Sequence, residues 1–293
     1  MRLLQYDSGN HHKNQHGIEI MTRSLNISYV KSRDPSVCAE EWDIVFIPSG
    51  YISPDRFPSA KKIIYGPHNY EFEGIWPTLQ LTHMPNVYFN ILSEWNKKRA
   101  NEMSDFDRHI KMACLPFAVD VDAFCPPINK QIKRDCFIYF KHRDPSHLQT
   151  AITLCNSLGL TYEIIQYGSY SEKTYKDILD TSKFGIWIGS HESQGFAVEE
   201  ALSKNIPLVV WDVESLFDEI IDGHKPWGKF EGMYTLRASV IPYWDERCGI
   251  VASVDTLRES IERMMNTYQQ FQPRAYILET LTPEICMKRW IDL

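Results

Sequence analysis

The sequence predicts an α/β protein made of two parallel-sheet domains, and three observations carry that prediction. Short apolar runs rich in β-branched and aromatic residues alternate with longer amphipathic segments along the 293 residues, the pattern of βα units that build a mainly parallel sheet. The alternation breaks at residues 122–133, where Cys125-Pro126-Pro127 and the polar residues after it read as an interdomain linker, and then it restarts. A buried-type strand at 183–188 then runs through a polar turn into a helix opening at Gly195-Phe196.

Taken in order, the first part predicts strands at 2–6, 25–30, 43–48, 61–65, 87–92 and 109–115, enough for one doubly wound sheet. After the linker the pattern predicts a strand at 135–140, a helix at 145–158, a strand at 161–166 and a helix at 172–181. The strand at 183–188, a helix at 195–204 and a strand at 207–211 follow. Residues 238–242 read as one more strand, and 254–270 and 283–291 as helices, the first with Leu257, Ile261, Met264 and Met265 near helical spacing. There is no tandem repeat and no low-complexity tract.

Composition narrows the partners. The formal charge is −7, from 31 basic and 38 acidic side chains, so no global positive field attracts nucleic acid, and an anionic ligand must meet a local site. The seven cysteines (Cys38, Cys114, Cys125, Cys136, Cys155, Cys248 and Cys286) include no CxxC pair and no metal-ligand spacing, so a reduced, cytoplasmic compartment is expected. The opening MRLLQYDSGN lacks a signal-type apolar region, and no apolar run reaches the roughly 20 residues that span a bilayer. Lys97, Lys98 and Arg99 leave peripheral membrane contact open, although three adjacent charges more often make a solvated helix face.

The turn at 189–195 carries the chemistry. A strand-to-helix turn in an open α/β sheet lies at the carboxyl edge, where ligands bind, and the free amides of the helix start form an anion site there. Glu192 in the turn and Glu200 a little over one turn into the helix bracket those amides. Carboxylates accept well from hydroxyls, so the pair suits a diphosphate with sugar hydroxyls on both sides. On spacing alone, however, acids near a helix start are commonly there for the helix dipole and solubility.

The full pattern resembles that of retaining GT-B glycosyltransferases of the family 4 type. Their signature is a Glu, seven residues and a second Glu, then Ala and a small-residue and Pro-Val-Val stretch. The chain reads Glu192-Ser-Gln-Gly-Phe-Ala-Val-Glu-Glu200-Ala-Leu-Ser-Lys-Asn-Ile-Pro207-Leu-Val-Val. The passage from Pro116 through Val119, Asp120 and Phe124 to Pro126 also resembles the family's entry into its second domain. The resemblance implies two Rossmann-like domains facing each other across a cleft: an acceptor-side domain at 1–122, a nucleotide-sugar donor-side domain at 123–275, and a C-terminal helix at 276–293 crossing back to the first. It implies a metal-independent retaining transfer of a sugar from a nucleotide-diphosphate sugar to a glycan or other hydroxyl acceptor, with no cofactor.

Site roles follow from the same resemblance. Glu200 would hold the ribose, Glu192 the transferred sugar, and the amides near Gly195 and Phe196 the diphosphate, with His191 and Ser193 as further donor contacts. The family usually has a Gly-Arg pair and then a Lys after the first strand of its second domain; here Phe140-Lys141-His142-Arg143-Asp144-Pro145 stands there. Lys141 and Arg143 are the candidates to meet the leaving diphosphate, against the alternative of a solvated loop whose charges pair with Asp144. In the first domain Gly9 occupies the family's glycine-rich loop, though only one glycine is present, and His68 ends a strand in a place resembling the family's histidine loop. Trp76, Tyr88, Trp95, Tyr243 and Trp244 are candidate sugar-stacking rings, and more often core residues. No GxGxxG or Walker motif follows a strand, and no metal cluster is evident. Two other readings remain at this point: a hydrolysing nucleotide-sugar epimerase of the same fold, and a non-catalytic nucleotide-sugar or glycan-binding protein.

Overall fold

The apolar runs of the first part become six parallel strands: β1 (Arg2–Tyr6), β2 (Ser28–Ser32), β3 (Trp42–Ile47), β4 (Ala60–Tyr65), β5 (Val87–Asn90) and β6 (Met112–Ala113). They form one sheet in the order β2-β1-β3-β4-β5-β6 in a computed structural model that describes residues 1–6, 9–67, 84–104, 111–221, 223–225 and 237–293. Burial follows position, as it must when helices cover a parallel sheet: four consecutive residues of the inner strand β3 are buried, whereas no residue of the edge strand β2 is. Helix α1 (His12–Ser24) turns its buried Ile18 and Met21 inward, and α2 spans Glu94–Ser104. The predicted strand at 25–30 begins later, at Ser28, because Leu25 caps α1 and Asn26 turns the chain with φ 53°.

The second sheet has the order β11-β10-β9-β7-β8, all parallel, from β7 (Arg134–Phe140), β8 (Tyr162–Gln166), β9 (Ser182–Ile188), β10 (Leu208–Trp211) and β11 (Gly249–Ala252). Local chemistry explains its helices. In α3 (Pro145–Ser157) the Asp144 carboxylate accepts from the Ser146 amide at 2.8 Å and Pro145 supplies a preset first turn. In α4 (Glu172–Thr181) Ser171 caps the start, and Tyr175, Ile178 and Leu179 form the buried face. Helix α5 (Phe196–Ser203) leads into β10, and α6 (Leu257–Thr267) buries the predicted Leu257, Ile261 and Met264. The short α7 (Pro273–Thr280), absent from the sequence reading, packs on α5.

Residues 238–242 are not a strand. The Asp212 carboxylate accepts from the Val240 amide at 2.8 Å and the Ser239 hydroxyl at 3.1 Å, so a side chain takes the place of a strand ladder. The strand that completes the sheet is instead β11, which pairs with β10.

The chain divides into two compact units, Met1–Ala118 with Leu281–Leu293, and Val119–Thr280. The C-terminal helix α8 (Pro283–Ile291) belongs to the first. Its fully buried Trp290 lies 5.0 Å from the Phe46 ring and 5.7 Å from Phe117, and the Tyr88 hydroxyl donates to the Leu293 carbonyl at 3.0 Å. No helix among the described residues is long and apolar enough to cross a membrane.

Candidate functional site

In an open parallel sheet the ligand crevice lies at the carboxyl ends of the strands, where the strand order reverses. In the second sheet β7 lies between β8 and β9, so this point falls between the ends of β7 and β9. Lys141 directly follows β7, and the turn from Gly189 to Gly195 follows β9. Fold topology alone therefore brings Lys141 to Glu192, fifty-one positions away, and their Nζ and Oε1 atoms pair at 2.7 Å.

Both side chains of this pair are only about one-seventh exposed, at 14% and 15%. Burial pulls the Lys141 ammonium toward neutrality, but the adjacent Glu192 carboxylate outweighs it, and the net effect is a raised pKa. The ammonium also lies 4.6 Å from the centre of the Tyr167 ring. Tyr167 is 44% exposed, and nothing in the sequence marks it among fifteen tyrosines.

Arg143 is placed differently. His142 turns the chain with φ 50°, and two residues after Lys141 the Arg143 side chain is buried, donating from one Nη to the Gly189 carbonyl at 3.0 Å and the Trp211 carbonyl at 3.2 Å. It ties the ends of β9 and β10 together. Burial lowers its pKa, with Asp218, Asp212 and Glu214 opposing. Asp144 serves as the α3 cap, so the loop is not the simple solvated one that the sequence also allowed.

The Glu192 turn ends at Gly195, whose φ of 94° and ψ of 47° lie in the left-handed region that glycine alone enters at low cost. Gly195 itself offers α5 no side-chain cap, and the first amides of the helix, from Phe196 onward, make its start a candidate anion site. Within α5, Glu200 is 6% exposed and Glu199 1% exposed. Ser193 and His191 flank Glu192 in the same turn. Beside it, the buried Glu219 carboxylate lies between two imidazoles, with Nδ1 of His191 at 3.3 Å and Nδ1 of His142 at 3.6 Å. Nothing in the sequence marks Glu219, because only the fold brings both histidines to it.

Glu199 gives a pH-dependent expectation. Burial raises its pKa well above the carboxylate range, the Gln194 amide donating at 3.1 Å opposes this, and Glu200 and Glu192 add to it. The folded protein therefore holds this proton at a pH where the unfolded chain has released it. The stability from neutral Glu199 is complete below the unfolded carboxyl pKa of about 4.3 and is lost as pH rises toward the folded value. Glu199→Gln should remove that slope and raise the Tm above wild type at pH 7–8, measured as Tm against pH; equal slopes in the two proteins would contradict it.

In the first unit, Gly9 follows β1 with φ 95°, and its carbonyl accepts from the Ser49 hydroxyl at 2.9 Å, across the point between β1 and β3 where that sheet's order reverses. His68 and Trp76 lie outside the described residues. Tyr88 is engaged by the chain terminus and Trp95 stacks near Arg99 at 5.6 Å. Lys97, Lys98 and Arg99 do not form one solvated face, since Arg99 is 5% exposed. No group of three or more His, Cys, Asp and Glu among the described residues is arranged to hold a metal ion.

The whole chain is similar to solved GT-B glycosyltransferases. It matches AviGT4, a glycosyltransferase involved in avilamycin A biosynthesis, with a TM-score of 0.60 and 12% identity over 100% of this chain and 96% of that one. It matches the lipopolysaccharide outer core galactosyltransferase WaaB with a TM-score of 0.55 and 11% identity, over 99% and 98% of the two chains. TarM of S. aureus, in a complex with fondaparinux, α-GlcNAc-glycerol and UDP, matches with a TM-score of 0.51 and 14% identity, over 85% of this chain and 54% of that one. No family model and no curated protein sequence matches the chain. The fold is GT-B: two parallel-sheet units with a C-terminal helix on the first.

Proposed function

We propose that the protein is a retaining glycosyltransferase that moves a sugar from a nucleotide-diphosphate sugar to a hydroxyl acceptor. The observation that carries this reading is the Lys141–Glu192 pair, set at the switch point of the second sheet beside the glycine-led start of α5. A cation, a carboxylate and a row of amides are the three recognition elements that a diphosphate with an attached sugar needs. The GT-B likeness and the UDP bound in the TarM complex support the same ligand class.

In this reading the diphosphate lies on the amides of α5, Glu200 holds the ribose and Glu192 the transferred sugar, with His191 and Ser193 as further contacts. The bond between the anomeric carbon and the β-phosphate oxygen breaks with its electron pair on the diphosphate, and Lys141 stabilises the charge that develops there. The acceptor hydroxyl attacks the same carbon from the side of the leaving group, and its proton passes to the departing diphosphate oxygen, which leaves the anomeric configuration unchanged. Arg143 is the clamp beneath the loop and Lys141 the cation of the reaction. Gly9 and His68 belong to the acceptor-side unit.

The test is incubation with uridine, guanosine and adenosine diphosphate sugars, with NMR of the sugar product, in the presence of excess chelator. Turnover that keeps the donor's anomeric configuration and survives chelation is expected, because the cation is a side chain. An inverted product, a product epimerised at another carbon, or activity that depends on an added divalent ion would overturn the reading.

A further inference from the structure

We infer that Asp212 is a positioning residue for Glu192, acting through the backbone of Ser239, and this rests on the role proposed for Glu192 above. Asp212 directly follows β10, on the carboxyl edge of the second sheet. One carboxylate oxygen accepts from its neighbour Val213 at 2.9 Å and from the Val240 amide at 2.8 Å. The other accepts from the Ser239 hydroxyl at 3.1 Å, and that hydroxyl in turn accepts from the Ile241 amide at 3.0 Å.

This makes a non-repetitive segment rigid where the sheet offers it no ladder. The segment then does one thing toward the site: the Ser239 carbonyl accepts from the Glu192 amide at 2.9 Å. Three residues on, Pro242 lies where a side chain on Gly195 would meet it, at 3.6 Å from the ideal Cβ position. Ser239 to Pro242 is therefore a shelf under the Glu192–Gly195 turn, and Asp212 fixes its height. Arg143 holds the same edge from below by joining Gly189, at the start of that turn, to Trp211, which precedes Asp212.

An acid here is more than packing. Its oxygens accept from two backbone amides and a hydroxyl, and an apolar replacement would orphan two buried-side donors and free the shelf. Misplacing Glu192 by a fraction of an ångström would weaken sugar positioning but not the nucleotide contacts on α5. The consequence is a kcat effect without a loss of nucleotide affinity.

The experiment compares Asp212→Ala, Asp212→Asn and Ser239→Ala with wild type and Glu192→Gln. UDP-glucose, GDP-mannose and ADP-glucose serve as donors, the free diphosphates as reference ligands, and amide hydrogen exchange reports on Glu192. Asp212→Ala should lower kcat about tenfold or more, leave diphosphate Kd unchanged or tighten it by up to about fivefold as Glu192 loosens from Lys141, and speed exchange of the Glu192 amide by about tenfold. Asp212→Asn keeps the acceptor for both amides and should restore most of both; Ser239→Ala, the milder variant should Asp212→Ala fail to fold, should fall between.

Unchanged Glu192 exchange in the folded variants, or equal losses for diphosphate and donor, would overturn the inference. So would a wild-type kcat in Asp212→Ala while Glu192→Gln is slow. A wild-type kcat in Glu192→Gln itself would instead overturn the proposed role of Glu192, and the exchange result would still decide whether Asp212 holds that residue.

Discussion

Lys141→Ala is expected to lower kcat for donor turnover by about 10²-fold or more, the scale of losing one preorganised group that meets developing charge. Two effects add. The diphosphate loses the ammonium that would face it, and Glu192, 15% exposed in its pair, becomes a carboxylate without its cation close to the incoming phosphates. Binding of the free nucleoside diphosphate should therefore weaken as well, by about tenfold. Steady-state kinetics with a calorimetric Kd checks this. Arg143→Ala serves as the contrast, because its guanidinium joins two strand-end carbonyls, and there a fall in Tm should accompany any loss of rate. Near-normal kcat in a folded Lys141→Ala would remove Lys141 from the reaction.

Glu192 and Glu200 are expected to move nucleotide affinity in opposite directions. The Glu192 carboxylate accepts at 2.7 Å from the same ammonium that is proposed to meet the diphosphate, so in this reading it competes with the phosphate for Lys141. Glu192→Gln keeps the shape and removes the competition, and free diphosphate should bind about fivefold tighter, from about 1 kcal/mol of released pairing. The same variant should slow sugar transfer, because the sugar hydroxyls lose a charged acceptor. Glu200→Ala deletes the proposed ribose contact, which would be worth about 1.5–3 kcal/mol, and should weaken diphosphate and donor alike.

The sequence alone gives no reason for the first of these effects. Glu192 and Lys141 are both legible as site residues, one from the turn and one from the loop after a strand, but their pairing depends on β7 lying next to β9 in the sheet. Strand order is a long-range property that no local pattern encodes. Lys141 and Arg143, two positions apart and chemically alike, looked interchangeable; the left-handed turn at His142 sends one into the crevice and the other into the scaffold. Non-glycine residues in that region are too uncommon to anticipate from a histidine in a loop.

The fold was more legible than the site because burial writes itself into composition. β1, α4 and α8 fall where the pattern puts them, each bounded by a cap or a change of polarity. Residues 238–242 misled because alternating apolar residues mark a half-buried segment, and such a segment can be held by a carboxylate from elsewhere as well as by a strand. β11 was missed for the converse reason: four residues at a sheet edge, with Val251 51% exposed, carry almost no pattern.

In the proposed reading the carboxyl edge of the second sheet binds a nucleoside diphosphate through α5 and Lys141. Calorimetric titration of wild type, Glu192→Gln and Glu200→Ala with uridine, guanosine and adenosine diphosphates tests it most directly. For the diphosphate that wild type binds, Kd should fall about fivefold in Glu192→Gln and rise by about tenfold or more in Glu200→Ala. Wild-type affinity in both folded variants, or no binding of any of the three diphosphates to the wild-type protein, would rule out a diphosphate site there.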